Sequence, residues 1–173
     1  MPFSKFLVPL LTGLVWTAGC TKPPAVAPPP TVLSTEPTQA QPRLATLKLW
    51  LGPEELITEL ALTEEQERTG MMFRTNMPEN EAMIFVFPFP QRASFWMKNC
   101  PLPLSVAYID SEGVIQEIHP LQSYDTNAVL SAAENIRYAL ETPQGWFDRH
   151  HIREGVTIRT ERGTLSQTFK PAQ

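Results

Sequence analysis

Three sets of residues in this chain have the types and spacing to do chemistry. The densest is Trp96, Lys98 and Asn99, an aromatic plane beside a cation and an amide. Such a set grips a sugar or a small acid. Its structural alternative is a core tryptophan, a solvated lysine and an asparagine capping the proline-rich turn that follows. In an extended strand Trp96 and Lys98 face one way, Met97 and Asn99 the other. The second set is Arg68 and Arg74, which bracket a hydrophobic cluster. Guanidinium forks suit an anionic ligand, but they also fasten a helix to a sheet by pairing with Glu59, Asp110 or Glu141. The third set is Asp110 and Glu141, the carboxylates best suited to serve as the acid and base of a hydrolase.

Other reactive side chains carry less. Cys100 as a nucleophile with His119 as its base lacks an orienting group and a helix N-terminus, and fits better as a small buried residue. His150 and His151 are adjacent, and adjacent histidines diverge. Asp148 and Glu154 lie nearby, but no zinc-type Cys/His spacing accompanies them, so no metal and no cofactor is expected. Met71 and Met72 read as core rather than copper ligands. The chain has no glycine-rich phosphate loop, no Gly-x-Ser-x-Gly elbow and no His-Glu-x-x-His motif.

These residues must be positioned by short elements. Leu44–Leu51 and Leu56–Leu62 alternate at period two around Gly52-Pro53-Glu54-Glu55, which predicts a hairpin. Thr63-Glu-Glu-Gln66 is a capping box with acids in the first turn. A two-turn helix starts there and stops at Gly70, held by Met71, Met72 and Phe73. Ala82–Phe87 reads as a strand buried on both faces and halted by Pro88 and Pro90. Arg92–Met97 is a further strand candidate. Ser105–Asp110 and Val114–Ile118 form a second hairpin around Ser111-Glu-Gly113. Residues 119–134 read as loop with at most a short helix. Ile136–Glu141 alternates again, Trp146–Ile152 suits a helical turn, and Val156–Thr160 is a late strand with a short partner after Arg162-Gly163. The expected fold is a mainly β single domain over residues 44–170. About eight short, mostly antiparallel strands make a barrel- or sandwich-like body with one or two short helices.

The N-terminal part does not belong to that body. Lys5 precedes an apolar run from Phe6 to Trp16, too short for a stable span but fitting a signal-peptide core over residues 1–19. It ends in Thr17-Ala-Gly-Cys20, small residues before a cysteine that resemble the lipobox of bacterial lipoproteins, although Thr17 stands where Leu is usual. Lipidation of Cys20 then anchors the chain to a membrane. Thr21 follows the cysteine where an Asp would resemble an inner-membrane retention signal, so the same resemblance implies the outer membrane, facing the periplasm. Seven of the 18 prolines fall between residues 21 and 43, which marks a solvated spacer. Cys100 is left as an odd thiol in an oxidising compartment.

Charge narrows the partners. The formal net charge is −4, and the chain without residues 1–19 loses Lys5 and no acid, which leaves it near −5. That balance argues against nucleic acid.

Several blocks resemble a known family. They are Glu59-Leu-Ala-Leu-Thr63, Arg68-Thr-Gly-Met-Met-Phe-Arg74, Ala82–Phe87, Phe95-Trp-Met-Lys-Asn99 with Pro101-Leu-Pro-Leu104, and Tyr138-Ala-Leu-Glu141 before Gly145. In this order they are similar to the bacterial and archaeal domain of unknown function 192, over roughly residues 46–160. The resemblance implies a compact, mainly β, often exported domain, and no established substrate or catalytic residue. Ala82, Cys100 and Ser105 depart from its pattern, standing where Gly, Thr and Asp are usual. The leading expectation is a noncatalytic accessory or ligand-binding domain of the cell envelope, which takes a small polar ligand or an envelope protein. Trp96, Lys98, Asn99, Arg68, Arg74 and Glu141 are its candidate contacts. A hydrolase of sugar or peptidoglycan fragments and a purely structural envelope protein are the rivals.

Overall fold

A computed structural model describes residues 36–170. The signal segment, Cys20 and residues 21–35 lie outside the described residues.

Two sheets carry the fold. The main one has eight strands in the order β10 (Gly163–Thr164), β9 (Ile158–Thr160), β1 (Thr46–Leu51), β2 (Glu54–Ala61), β3 (Glu81–Gln91), β8 (Ile136–Pro143), β5 (Leu104–Asp110) and β6 (Ile115–Leu121), and β4 (Ser94–Phe95) pairs with β7 (Val129–Leu130). β1 (Thr46–Leu51) and β2 (Glu54–Ala61) form the first hairpin, turned at Gly52 with φ 63°. α1 (Glu64–Thr69) starts at Thr63. The Thr63 hydroxyl accepts from the Gln66 amide and the Gln66 side chain reaches back, so the capping box forms as expected. The helix leads into β3 (Glu81–Gln91), which lies parallel to β2. A parallel pair needs a crossover connection, and α1 with residues 70–80 supplies it.

β3 corrects one expectation. It does not stop at Pro88 but runs on to Gln91. Its pairing with β8 (Ile136–Pro143) lapses after Val86 and resumes at Gln91. The two prolines fall in that irregular stretch, where Pro88, Phe89 and Pro90 are exposed and no ladder donor is required of them.

β4 corrects another, because the strand is only Ser94–Phe95, paired with β7 (Val129–Leu130). Trp96 and Lys98 therefore sit beyond the strand, Trp96 in irregular chain and Lys98 in the turn that follows. β5 (Leu104–Asp110) and β6 (Ile115–Leu121) form the second hairpin. Residues 119–134 hold the end of β6 and the short β7 rather than a helix.

α2 (Trp146–Arg149), β9 (Ile158–Thr160) and β10 (Gly163–Thr164) follow. A third short helix, α3 (Leu165–Thr168), was not expected. Its signal was present, since Thr164 and Gln167 repeat the capping box of Thr63 and Gln66.

The main sheet curls so that Val114 bridges Thr157, bringing the β5–β6 turn against the entry to β9. That single bridge does not make a continuous closed barrel, and the body is sandwich-like. Each face of the sheet buries its own core. One holds Leu47, Leu49, Leu51, Ile84, Ile109 and Leu140, covered by Trp146, Phe147 and Leu165. The other holds Met83, Phe85, Val106, Tyr108 and Ala139, covered by Met71, Met97 and Cys100.

The domain also begins earlier than the proline-rich composition implies. Gln41 donates to the Gln66 and Gly70 carbonyls at the end of α1. Arg43 pairs with Glu59 at 2.7 Å and Glu81 at 2.6 Å. Residues 36–43 therefore lie against the domain as a strap.

The core sets the stability. Leu49 is fully buried at the centre of its cluster. Leu49→Ala is expected to cost about 2–5 kcal/mol, read as a lower urea midpoint with an unchanged slope.

Candidate functional site

A cavity of about 380 Å³ opens beneath α1. The helix and the residues just after it form one wall, including Glu64, Glu67, Arg68, Met71 and Met72. Phe85 and Phe87 of β3 and Phe95, Trp96, Met97, Lys98 and Cys100 form the others. Glu141 of β8 lines it as well. The volume falls at the low end of the range usual for small-ligand sites.

Glu141 is the unusual member. On β8 it sits between Met83 of β3 and Val106 of β5, both fully buried. It is only 4% exposed, and its Oε2 has no hydrogen-bond partner among the described residues. Burial alone pushes its carboxyl up to about 8, so at neutral pH the group is mostly protonated. Its neighbours respond. Burial, and then the nearby Glu141 charge, pushes the Cys100 thiol up to about 12. The same two causes, with Glu117, raise the Tyr108 phenol. A thiol raised that far is not a nucleophile. His119 is held by Glu117 at 2.9 Å instead of serving Cys100.

At the mouth stand three of the expected residues. Trp96 is 48% exposed, and the Lys98 ammonium lies 5.4 Å from its ring centroid. Lys98 also pairs with Glu36 of the strap at 2.6 Å. Arg68 lines the cavity and has no ion-pair partner among the described residues. A small annex of about 50 Å³ joins Arg68, Trp96 and Lys98 to Glu36, Pro37 and Asn99. Asn99 holds the turn. Its backbone is left-handed at φ 57°, which asparagine tolerates, and its carbonyl accepts from the Phe73 amide at 2.7 Å.

The other candidates lie elsewhere. Arg74 forks onto Glu59 at 2.8 and 2.9 Å, which is the fastening role and not a ligand site. Burial would raise the Glu59 carboxyl, but Arg74, the Leu44 amide and Arg43 outweigh it and hold it below its ordinary value. Asp110 caps the β5–β6 turn, accepting from the Glu112 and Val114 amides and from Gln116. In the sheet it pairs with Ile136, whereas Val106 pairs with Glu141. Those positions are four residues apart on β5, roughly 13 Å along the strand, so Asp110 and Glu141 do not form an acid–base pair in one cleft. Ser105 donates nothing to the cavity; its hydroxyl accepts from the Gly145 amide on the opposite side of the sheet. His150 sits between Glu54 and Glu79 and stacks on Trp146, while His151 is exposed. Among the described residues no cluster of three or more His, Cys, Asp or Glu could hold a metal ion.

Cys100 is buried in the core as expected and also lines the cavity. Glu36, within the stretch read as spacer, borders the site as well. Alternation in Tyr138-Ala-Leu-Glu141 with apolar neighbours already pointed Glu141 inward, and its lack of a partner depends on strands distant in sequence.

Two measurements test this electrostatic picture. Arg74→Ala leaves the buried Glu59 with only Arg43 and the Leu44 amide and is expected to cost about 3 kcal/mol in denaturant unfolding. Because the Glu59 carboxyl is lowered by folding, that part of the stability is fully present above its ordinary range and is lost as pH falls from there through the lowered value. Glu141 has the opposite sign. Its raised value costs stability as pH rises from the ordinary carboxylate range towards about 8. Glu141→Gln is therefore expected to melt higher than the wild type at neutral pH, by roughly 1–3 kcal/mol, with the gap closing near about pH 4.

Residues 51–160 match the domain of unknown function 192 family, described as "Uncharacterized ACR". Among curated proteins none matches the chain. Two crystal structures share the fold. One is a Sinorhizobium meliloti 1021 protein provisionally named a transcription regulator, 26% identical, with a TM-score of 0.66 over 70% of this chain and 98% of that one. The other is a protein of unknown function from Novosphingobium aromaticivorans DSM 12444, also 26% identical, with a TM-score of 0.64 over 78% of this chain and 94% of that one. With its match spanning most of the folded domain, the chain belongs to the domain of unknown function 192 family.

Proposed function

We propose that this protein is an exported, lipid-anchored component of the bacterial cell envelope whose single domain binds a small polar ligand without catalysis. The observation that carries the binding reading is Glu141, which lines the cavity and whose buried Oε2 has no hydrogen-bond partner among the described residues. A buried polar group without a partner costs about 1–3 kcal/mol, and a strand position that keeps such a group is explained by a ligand that satisfies it. The noncatalytic reading rests on the partners. Asp110 is remote, Cys100 is held protonated, and among the described residues no second acid or base hydrogen-bonds the Glu141 Oε2.

The export reading rests on the sequence alone, on the apolar run ending in Thr17-Ala-Gly-Cys20. Among the described residues no helix is long and apolar enough to cross a membrane. Lipidation at Cys20 supplies the membrane attachment, and the outer membrane facing the periplasm is the proposed address. The name given to the Sinorhizobium protein does not transfer readily. Nucleic-acid binding needs a basic face, and this chain is acidic.

Cells expressing the full chain are expected to incorporate labelled palmitate into it, and Cys20→Ala to abolish both label and membrane fractionation. Purified in detergent, the same chain should show a saturable rise in melting temperature with a small polar solute, abolished by Lys98→Met. A flat response across sugars, small acids and amines would favour the structural or protein-partner role instead.

A further inference from the structure

The chemistry of the cavity names its ligand class, on the reading that the cavity binds a small solute. The cavity is lined by one deeply buried carboxyl, Glu141, whose Oε2 has no hydrogen-bond partner among the described residues. The mouth offers two cations, Arg68 and Lys98. What the mouth recognises is already displayed. Lys98 holds a carboxylate, that of Glu36, at 2.6 Å beside the Trp96 ring, and Glu36 reaches it from the strap 62 residues away in sequence. Between the two ends the walls are Met71, Phe85, Phe87, Phe95 and Met97.

A simple anion satisfies the mouth and leaves Glu141 orphaned. A simple cation satisfies Glu141 and leaves Arg68, which has no ion-pair partner among the described residues, without a counter-charge. We propose that the cavity takes a small zwitterion, an amino acid or amino-sugar acid, with its primary ammonium on Glu141 and its carboxylate displacing Glu36 at Lys98 and Arg68. The strap is then a tethered competitor, an acid of the same chain occupying the carboxylate subsite until a ligand replaces it.

The proposal has a proton signature. Glu141 is mostly protonated at neutral pH, and an ammonium is held by the ionised form, so binding releases a proton from Glu141. The other groups facing it are Glu64, Glu67 and Arg68 from α1, Lys98 and Cys100 from the turn after β4, and Tyr108 from β5. Met83 and Phe85 of β3 carry no charge. Of these, Glu67 is also raised, by burial and then by Glu64, so Glu67→Gln measures how much of any proton release comes from that neighbour rather than from Glu141.

The test is calorimetry on the full chain in detergent. The probes are glycine, L- and D-alanine, leucine, phenylalanine and muramic acid, with N-acetylleucine and leucine methyl ester as forms lacking one charge. At least one zwitterion should bind, with a heat that varies with buffer ionisation enthalpy as release of up to one proton requires. Its affinity should rise by about tenfold per pH unit below the Glu141 value. Glu141→Gln, which folds by its own melting curve, should lose both binding and release. Glu36→Gln should tighten binding severalfold. N-acetylleucine binding as well as leucine, or binding without proton release in the wild type, overturns the assignment of Glu141 as the ammonium seat. If neutral sugars bind and no zwitterion does, this inference fails while the small-ligand reading stands. If nothing in either class binds, both fail together.

Discussion

A strand covered on both sides leaves no solvent for any side chain it carries. β8 is that strand here. It lies between β3 and β5 in the main sheet, and every residue from Ile136 to Thr142 is buried. Its alternate residues feed the two separate cores, so Leu140 packs on one face and Ala139 on the other. The rule has no exception for polar side chains. Thr142 keeps an unpartnered hydroxyl, Arg137 an unpartnered guanidinium nitrogen, and Glu141 an unpartnered carboxyl oxygen. Three such atoms on one strand are a stability debt concentrated where the fold has least room to relieve it. Of the three residues, only Glu141 opens onto the cavity beneath α1.

The surroundings then divide the charges by purpose. Glu59 is as buried as Glu141, yet it is fully used, taking the Arg74 fork, Arg43 and the Leu44 amide. That knot fixes the strap to β2 and to the segment after α1, and so sets the wall of the cavity. Two glutamates with nearly equal exposure are thus driven in opposite directions. One is held ionised by guanidinium and amide donors, and the other is driven neutral by their absence.

Much of the fold was readable because its signals are local. Period-two alternation around Gly52-Pro53 gives the first hairpin, and Thr63 with Gln66 gives the start of α1. The misreadings occur where a distant partner decides. Pro88 and Pro90 end strands in general, but β3 survives them because pairing with β8 resumes at Gln91. The Arg92–Met97 run has strand-like composition, yet β7 offers only two residues to pair with it, so Trp96 is released to the mouth of the cavity. Trp96, Lys98, Arg68 and Glu141 were nameable from residue type, and the structure brings all four to one cavity. Arg74 and Asp110 were equally plausible by type, and only their contacts assign them to a fastening and a turn. Glu36 was invisible as part of the site, because a proline-rich stretch carries no periodicity that reports where it docks.

The position of β8 along the chain has a consequence for biogenesis. The sheet cannot join β3 to β5 until residues 136–143 are available, late in a chain of 173. Until then β1 to β3 and the β5–β6 hairpin are separate pieces with no shared core, and pairings this distant form slowly. Vectorial synthesis therefore yields a polypeptide that stays loose for most of its emergence from the ribosome. A topology that closes on its last third thus defers completion of the sheet until synthesis is nearly over.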